Sequence, residues 1–262
     1  METVSFVTKT AKLIFFCERM VIMNSKINVL IWNEYLHELK NETVGKIYPN
    51  GIHTAIGDRL KQNERLSIKT ATLAEPEHGL TDEVLAWADV LIWWGHKAHE
   101  LVDDTVVNKV YERVQAGMGF IALHSAHASK IFSKLMGTNS ALLKWREDDL
   151  HSTVWTIMHN HPIAKGIPDS FLIPQEETYG ERFEIPRPDD IIFISSYAGG
   201  EVFRSGVTFT RGLGRIFYFQ PGHETYPVYY QSEVQQVIEN AVFWAAPESF
   251  TKPINGNFPG RV

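Results

Sequence analysis

Residues 89–96 read Asp-Val-Leu-Ile-Trp-Trp-Gly-His, residues 103–116 form a stripe of Val106, Val107, Val110 and Val114, and residues 119–124 read Gly-Phe-Ile-Ala-Leu-His. The first and last segments are apolar almost throughout, as strands buried on both faces of a parallel sheet must be. The valines between them fall at helical spacing, on one side of a helix that Gly117 and Gly119 stop. Strand, helix, strand over some thirty residues is a right-handed crossover unit.

Outward from this unit the same alternation continues. Ile27–Trp32 (INVLIW) reads as another buried strand, 53–62 as a helix, Ser67–Leu73 as a strand and Asp82–Ala88 as a short helix. The second half is less regular. A strand is expected within 145–158, a turn at His159–Pro162, and a strand mixed with loop over 171–183. Ile191–Tyr197 is a further strand, and Val207–Thr210 and Arg215–Gln220 suggest a pair joined through Gly212–Gly214. An amphipathic helix over Ser232–Ala246 closes the pattern, with Val234, Val237, Ile238, Ala241, Val242 and Ala245 inward. The expected architecture is α/β, three layers α/β/α, flavodoxin-like, with a mostly parallel central sheet. Residues 27–247 form the domain. Residues 1–26 are expected as a loosely packed extension and 248–262 as an irregular tail.

The 262 residues carry 25 basic and 31 acidic side chains, a net charge of −6, and no run of basic residues. That argues against nucleic acid and against an anionic membrane surface as partner. The apolar run at Leu13–Phe16 is too short to span a bilayer. A single cysteine, Cys17, excludes an intrachain disulfide and a cysteine-built zinc cluster. It fits a reducing compartment, and a cytoplasmic location is expected. Tyr226, Tyr229 and Tyr230 are candidate contacts of a homo-oligomer.

The residue in excess is histidine, eleven in all. Three strands end in one: His96 after DVLIWWG, with His99 beyond it; His124 after GFIAL, with Ser125 and His127 beyond it; His223 after FYFQPG. Ligands of open parallel sheets bind beyond the carboxyl ends of the strands, so these imidazoles are expected to share a cleft. A histidine after a strand is by itself commonly a turn or capping residue. It is the threefold recurrence that points to a site. Zinc or another divalent metal is a candidate cofactor, with His96, His124 and His223 the chief ligands and His99 and His127 further candidates, since 96/99 and 124/127 are spaced for one helical face. No nucleotide cofactor is expected.

Glu177, in Gln-Glu-Glu-Thr-Tyr (175–179), would serve His124 and His223 as acid/base partner or oxygen ligand. The plainer reading of Glu176 and Glu177 is a solvated loop. Ser125 is a weaker nucleophile candidate, because no G-x-S-x-G surrounds it. Trp93 and Trp94 belong mostly to the core, although one ring could offer a flat face to a sugar. His159 and His161 read as surface turn residues, and His37, His53, His78 and His151 have no supporting context.

Taken in order, DVLIWWGH, GFIALHSAH, HPIAKGIP, EETYGERF and GRIFYFQPGHE…VIENAVFWAAP resemble the ThuA-like (trehalose utilisation) family, a branch of the class I glutamine-amidotransferase-like superfamily. The resemblance runs from about Ile27 to Pro247. It implies the flavodoxin-like fold without glutaminase activity, because the superfamily's glutaminases place a cysteine where His124 or Ser125 stands here. The paired His223-Glu224 also lacks the residue that separates histidine from glutamate in those enzymes. It further implies a role in bacterial disaccharide use, with a small-molecule carbohydrate as ligand. The expected activity is hydrolysis or isomerisation of a disaccharide or keto-sugar derivative; the alternative is a non-catalytic sugar-binding or regulatory module. The residues carried over to the site are catalytic His124, Glu177 and His223, with Trp94, His96, Ser125 and Tyr179 binding substrate.

Overall fold

A computed structural model describes residues 26–248; the expected extension over 1–26 and the tail over 248–262 lie almost wholly outside them. In chain order the elements are β1 (Ile27–Asn33), α1 (His37–Lys40), α2 (Glu42–Ile47), α3 (Ile52–Leu60), β2 (Leu66–Thr72), α4 (Asp82–Trp87), β3 (Val90–Trp94), α5 (Asp104–Gln115), β4 (Gly119–Leu123) and α6 (Lys130–Met136). They continue with β5 (Leu142–Arg146), β6 (Ser152–Thr156), β7 (Ser170–Ile173), β8 (Thr178–Phe183), β9 (Asp190–Tyr197), β10 (Val202–Arg211), β11 (Gly214–Phe219) and α7 (Ser232–Ala245).

Nine strands form the main sheet in the order β2-β1-β3-β4-β11-β10-β9-β6-β7. The pairs from β2 through β11 are parallel, and those from β11 outward are antiparallel. The crossover unit read from 89–124 stands at its centre. The irregular second half has a physical reason: 145–158 holds two strands that belong to different sheets. β5 leaves the main sheet to pair with β8 in a two-stranded ribbon, while β6 joins β7 and β9. Pairings so distant in sequence leave no local signal.

Alternation along the parallel strands divides the interior into two cores. Val29, Ile31, Ile92, Ile121 and Phe217 face α3 and α7, and Leu30, Leu91, Phe120, Ala122 and Tyr218 face α4, α5 and α6. All four valines of the α5 stripe are buried, each contributing about 1.5 kcal/mol by removal from water. All six inward residues of α7 are buried as well. The N-caps are supplied by Asn41 for α2, Thr81 for α4 and Ser129 for α6, whose side chains accept from backbone N–H groups of the first turn.

Register then places the site. Trp94 pairs with Leu123, and Leu123 with Phe219. The three strands therefore end abreast, and the residues after them emerge along one edge.

Candidate active site

His124 follows β4 immediately, with φ of +51°, a left-handed conformation that costs a non-glycine residue about 1 kcal/mol or more. This is the tight strand-to-helix elbow expected there. His124, not Ser125, occupies the strained position. Its imidazole is fully buried. The ring centres of His96, His124 and His223 lie 5.8, 5.6 and 5.4 Å apart. Three imidazoles separated by up to 127 positions in sequence meet in one cluster.

Each ring is held from behind through Nδ1. That of His124 donates to the carbonyl of Gln220 at 2.9 Å, and that of His96 bonds Glu224 Oε2 at 2.8 Å. For His223 the partner is the Thr225 hydroxyl at 2.7 Å, with the Thr225 amide also pointing at Nδ1 from 3.3 Å. Outer partners of this kind fix ring orientation at metal and acid/base sites. They leave Nε2 of His124 and of His223 buried and without a hydrogen bond. Glu177 Oε2 is in the same condition. It lies 3.0 Å from His124 Nε2 and 3.9 Å from His223 Nε2, near enough for ion pairing but too oblique for a formed hydrogen bond.

Electrostatics separate the two rings. Burial pushes the His124 imidazole down, but the Glu177 carboxylate, with Glu176 and Glu224 behind it, lifts it to about 9. Burial together with its cationic neighbour His124 drops His223 to about 4. Burial raises Glu176 to about 7, against bonds from the Gly222, Glu177 and His223 amides that tie it to the β11 loop. Glu224 is held far below the usual carboxylate range: burial opposes its charge, but the His96 bond and the neighbouring histidines outweigh it.

One nitrogen or oxygen from each of His96, His124, His223 and Glu224 falls within 4.8 Å of the others. Three imidazoles and a carboxylate, with orphaned buried Nε2 atoms among them, form a donor set that fits zinc or a similar divalent cation. Glu177, outside that set, remains free to act as a base.

The expectations fare unevenly residue by residue. The structure brings His96, His124, His223, Glu177, Ser125 and Tyr179 together: the Tyr179 ring stacks on His124 at 5.4 Å, and its hydroxyl lies 3.1 Å from Ser125 Oγ. Glu176 and Glu177 are buried, not a solvated loop. Trp94 is a correction. Alternation along β3 turns it into the α3/α7 core, fully buried, with no ring face open to a ligand. Trp93 is buried in the opposite core, stacked on Trp32. His99 and His127 line the cavity but stand outside the donor set; the His127 Nδ1 is engaged by the Ser140 carbonyl. His161 is buried against Trp244 and so is no surface turn residue. Tyr226 and Tyr229 are buried, which leaves Tyr230 alone of the three exposed.

Sequence reading missed three residues. The His37 Nδ1 lies 3.3 Å from Glu224, whose carboxylate thus joins His37 to His96. Glu34, directly after β1, accepts from the amides of His96, Lys97 and Ala98 and so clamps the loop that presents His96. The signal was available for Glu34, since β1 is also a parallel strand and ends beside β3. The role of Glu224 was obscured by its neighbour His223.

The cavity over this cluster measures about 250 Å³ and is lined by His96, Ser125, Glu177, Tyr179, Leu142 and Trp145, among others. A larger one, about 710 Å³, lies at the amino ends of the parallel strands beside Arg65, Arg215 and Trp244. Convergent chemistry, not volume, identifies the first as the site.

Comparison with known proteins agrees with this picture. No curated protein matches the chain. Solved structures do: a ThuA-like protein from Parabacteroides merdae is 16% identical with a TM-score of 0.65, over 90% of this chain and 95% of that one. A second ThuA-like protein, from Bacteroides uniformis, is 17% identical with a TM-score of 0.63, over 85% and 92% of the two chains. A glutamine amidotransferase from Thermotoga maritima shares the fold at 11% identity and a TM-score of 0.50, over 85% and 99%. The family model described as trehalose utilisation matches residues 28–245. With a match of that extent, the chain belongs to the ThuA family.

Proposed function

We propose that this protein is an enzyme that moves a proton on a carbohydrate derivative, isomerising or hydrolysing a disaccharide or its keto form, with a divalent cation held by His96, His124, His223 and Glu224. The observation that carries the reading is the placement of a buried carboxylate, Glu177 Oε2, 3.0 Å from His124 Nε2 at the floor of a cavity. A bound cation would polarise a substrate carbonyl as a Lewis acid. Glu177 would take the proton from the carbon next to that carbonyl and return it to the neighbouring carbon or oxygen, so that no proton is gained or lost in isomerisation. In hydrolysis the same proton would pass to the departing glycosidic oxygen as its C–O bond breaks, and one water would add to the double bond left behind. Gln220 and Thr225 keep the His124 and His223 rings aimed, and Tyr179 and Ser125 offer hydroxyls to the sugar. Family membership supports the substrate class. The elbow holds His124 and not a thiol, so glutamine hydrolysis through a cysteine has no nucleophile there. A single cysteine fits a reducing compartment, and on that ground the cytoplasm is the proposed location.

The test is incubation with keto-disaccharides in deuterated water, followed by NMR. Deuterium at the carbon next to the carbonyl, lost in Glu177→Gln, is the expected result. Tight binding with neither exchange nor product would overturn it in favour of a non-catalytic sugar-binding module.

A further inference from the structure

We infer that Trp145 is the platform for the outer ring of a two-ring ligand and sets the preference of this site for disaccharides over monosaccharides; the inference rests on the carbohydrate reading above. Trp145 sits on β5, paired directly with Tyr179 of β8, the residue stacked on His124. The ribbon register therefore joins this indole to the catalytic floor through one cross-strand partner. Yet Trp145 is 62% exposed, whereas Trp32, Trp93 and Trp94 are buried in the cores. An indole on the rim adds nothing to a core and presents a large apolar face to water. Its Nε1 has no hydrogen-bond partner among the described residues.

Cavity size supplies the second argument. About 250 Å³ is below the roughly 300–1,000 Å³ of sites that enclose a drug-sized ligand. With the reacting ring on the His/Glu floor, a second ring must lie outside, across the rim formed by Leu142 and Trp145. There the indole face can cover the C–H face of a pyranose, and Nε1–H can donate to a hydroxyl. Arg146, the next residue, is paired with Asp148 and with Glu201, which lies beyond the ribbon.

Calorimetry of the full-length zinc-loaded protein with trehalose, cellobiose and their keto forms, against glucose and its keto form, tests this. Trp145→Ala should weaken disaccharide binding at least tenfold and monosaccharide binding less than twofold, and Trp145→Phe should restore most of the difference. Equal losses for both classes, or no loss, would overturn the inference and leave the proposed function standing. If the wild type binds none of these sugars, both fall together. Circular dichroism of the exposed-site variant checks that its fold is intact.

Discussion

His124 Nε2 and Glu177 Oε2, 53 residues apart, lie 3.0 Å from one another in a fully buried setting. The first comes from the parallel half of the sheet and the second from the connection between β7 and β8. Neither atom has a hydrogen-bond partner, and Glu177 Oε2 also lies 3.9 Å from His223 Nε2.

Glu177→Gln should lower turnover by about 10² to 10⁴, the usual worth of a positioned proton-transfer group. His124→Asn should lose turnover together with stoichiometric metal binding. Asparagine tolerates the left-handed backbone at this position, so thermal unfolding should move by only a few degrees. Comparison of His124→Gly with His124→Ala isolates the backbone: glycine should be the more stable by about 1 kcal/mol in urea denaturation. Equal stabilities would mean that the elbow is not strained.

Removal of metal by a chelator should abolish activity, and one equivalent of zinc should restore it, with metal content read by emission spectroscopy. His96→Ala and His223→Ala should each lose that stoichiometric binding. A protein equally active after exhaustive chelation would eliminate the cation from the reaction.

Glu34→Gln should weaken metal binding about 10- to 100-fold, the typical cost of losing an outer-shell support. One carbonyl oxygen cannot satisfy the His96, Lys97 and Ala98 amides that now share two carboxylate oxygens. The readout is zinc affinity by competition with a chromophoric chelator. An unaltered affinity would show that the loop holds His96 without this clamp.

Gly222, with φ of +143°, leaves no room for a side chain: a Cβ there would lie 2.0 Å from the Tyr229 hydroxyl. Gly222→Ala should therefore cost roughly 1–3 kcal/mol, the range of overpacking, and should displace His223 one residue on. Equilibrium unfolding and zinc titration together report the two effects.

Burial holds His127 down at about 3, whereas an unfolded histidine titrates near 6.5. Between those values the unfolded chain binds the extra proton. The contribution of His127 to stability is thus complete above pH 6.5 and is lost as the pH falls toward 3, with His53, His99 and His161 acting in the same direction. His127→Asn should flatten the stability profile in this window by roughly 1.4 kcal/mol per pH unit. Urea titrations from pH 4.5 to 7.5 measure the slope.

The parallel half of the fold was legible because each buried strand is a short apolar block bounded by a helix stripe. Those strands also announced His96, His124 and His223, since register carries their ends to one edge. Glu177 was read as an acid/base partner of His124 and His223, but its burial was not; that depends on β8 reaching back to β5, which no local pattern records. Trp94 was misread for a related reason. Apolar runs name the strand but not which core each side chain enters, and the indole at the rim of the cavity is Trp145, on a ribbon that sequence periodicity does not reveal. Glu34 and His37 follow β1, a parallel strand that ends beside β3, so their edge was readable; neither, however, is a histidine standing directly at a strand end.

β11 is the last strand made, yet it occupies the middle of the sheet, between β4 and β10. A chain emerging from the ribosome therefore carries two unpaired strand edges until about residue 219 has been released, and exposed edges invite pairing with other chains. The same late insertion delivers His223 and Glu224. The proposed metal site can therefore be completed only when the sheet closes, and a nascent or truncated chain that stops short of it would lack two of the four donors while leaving strand edges open to aggregation.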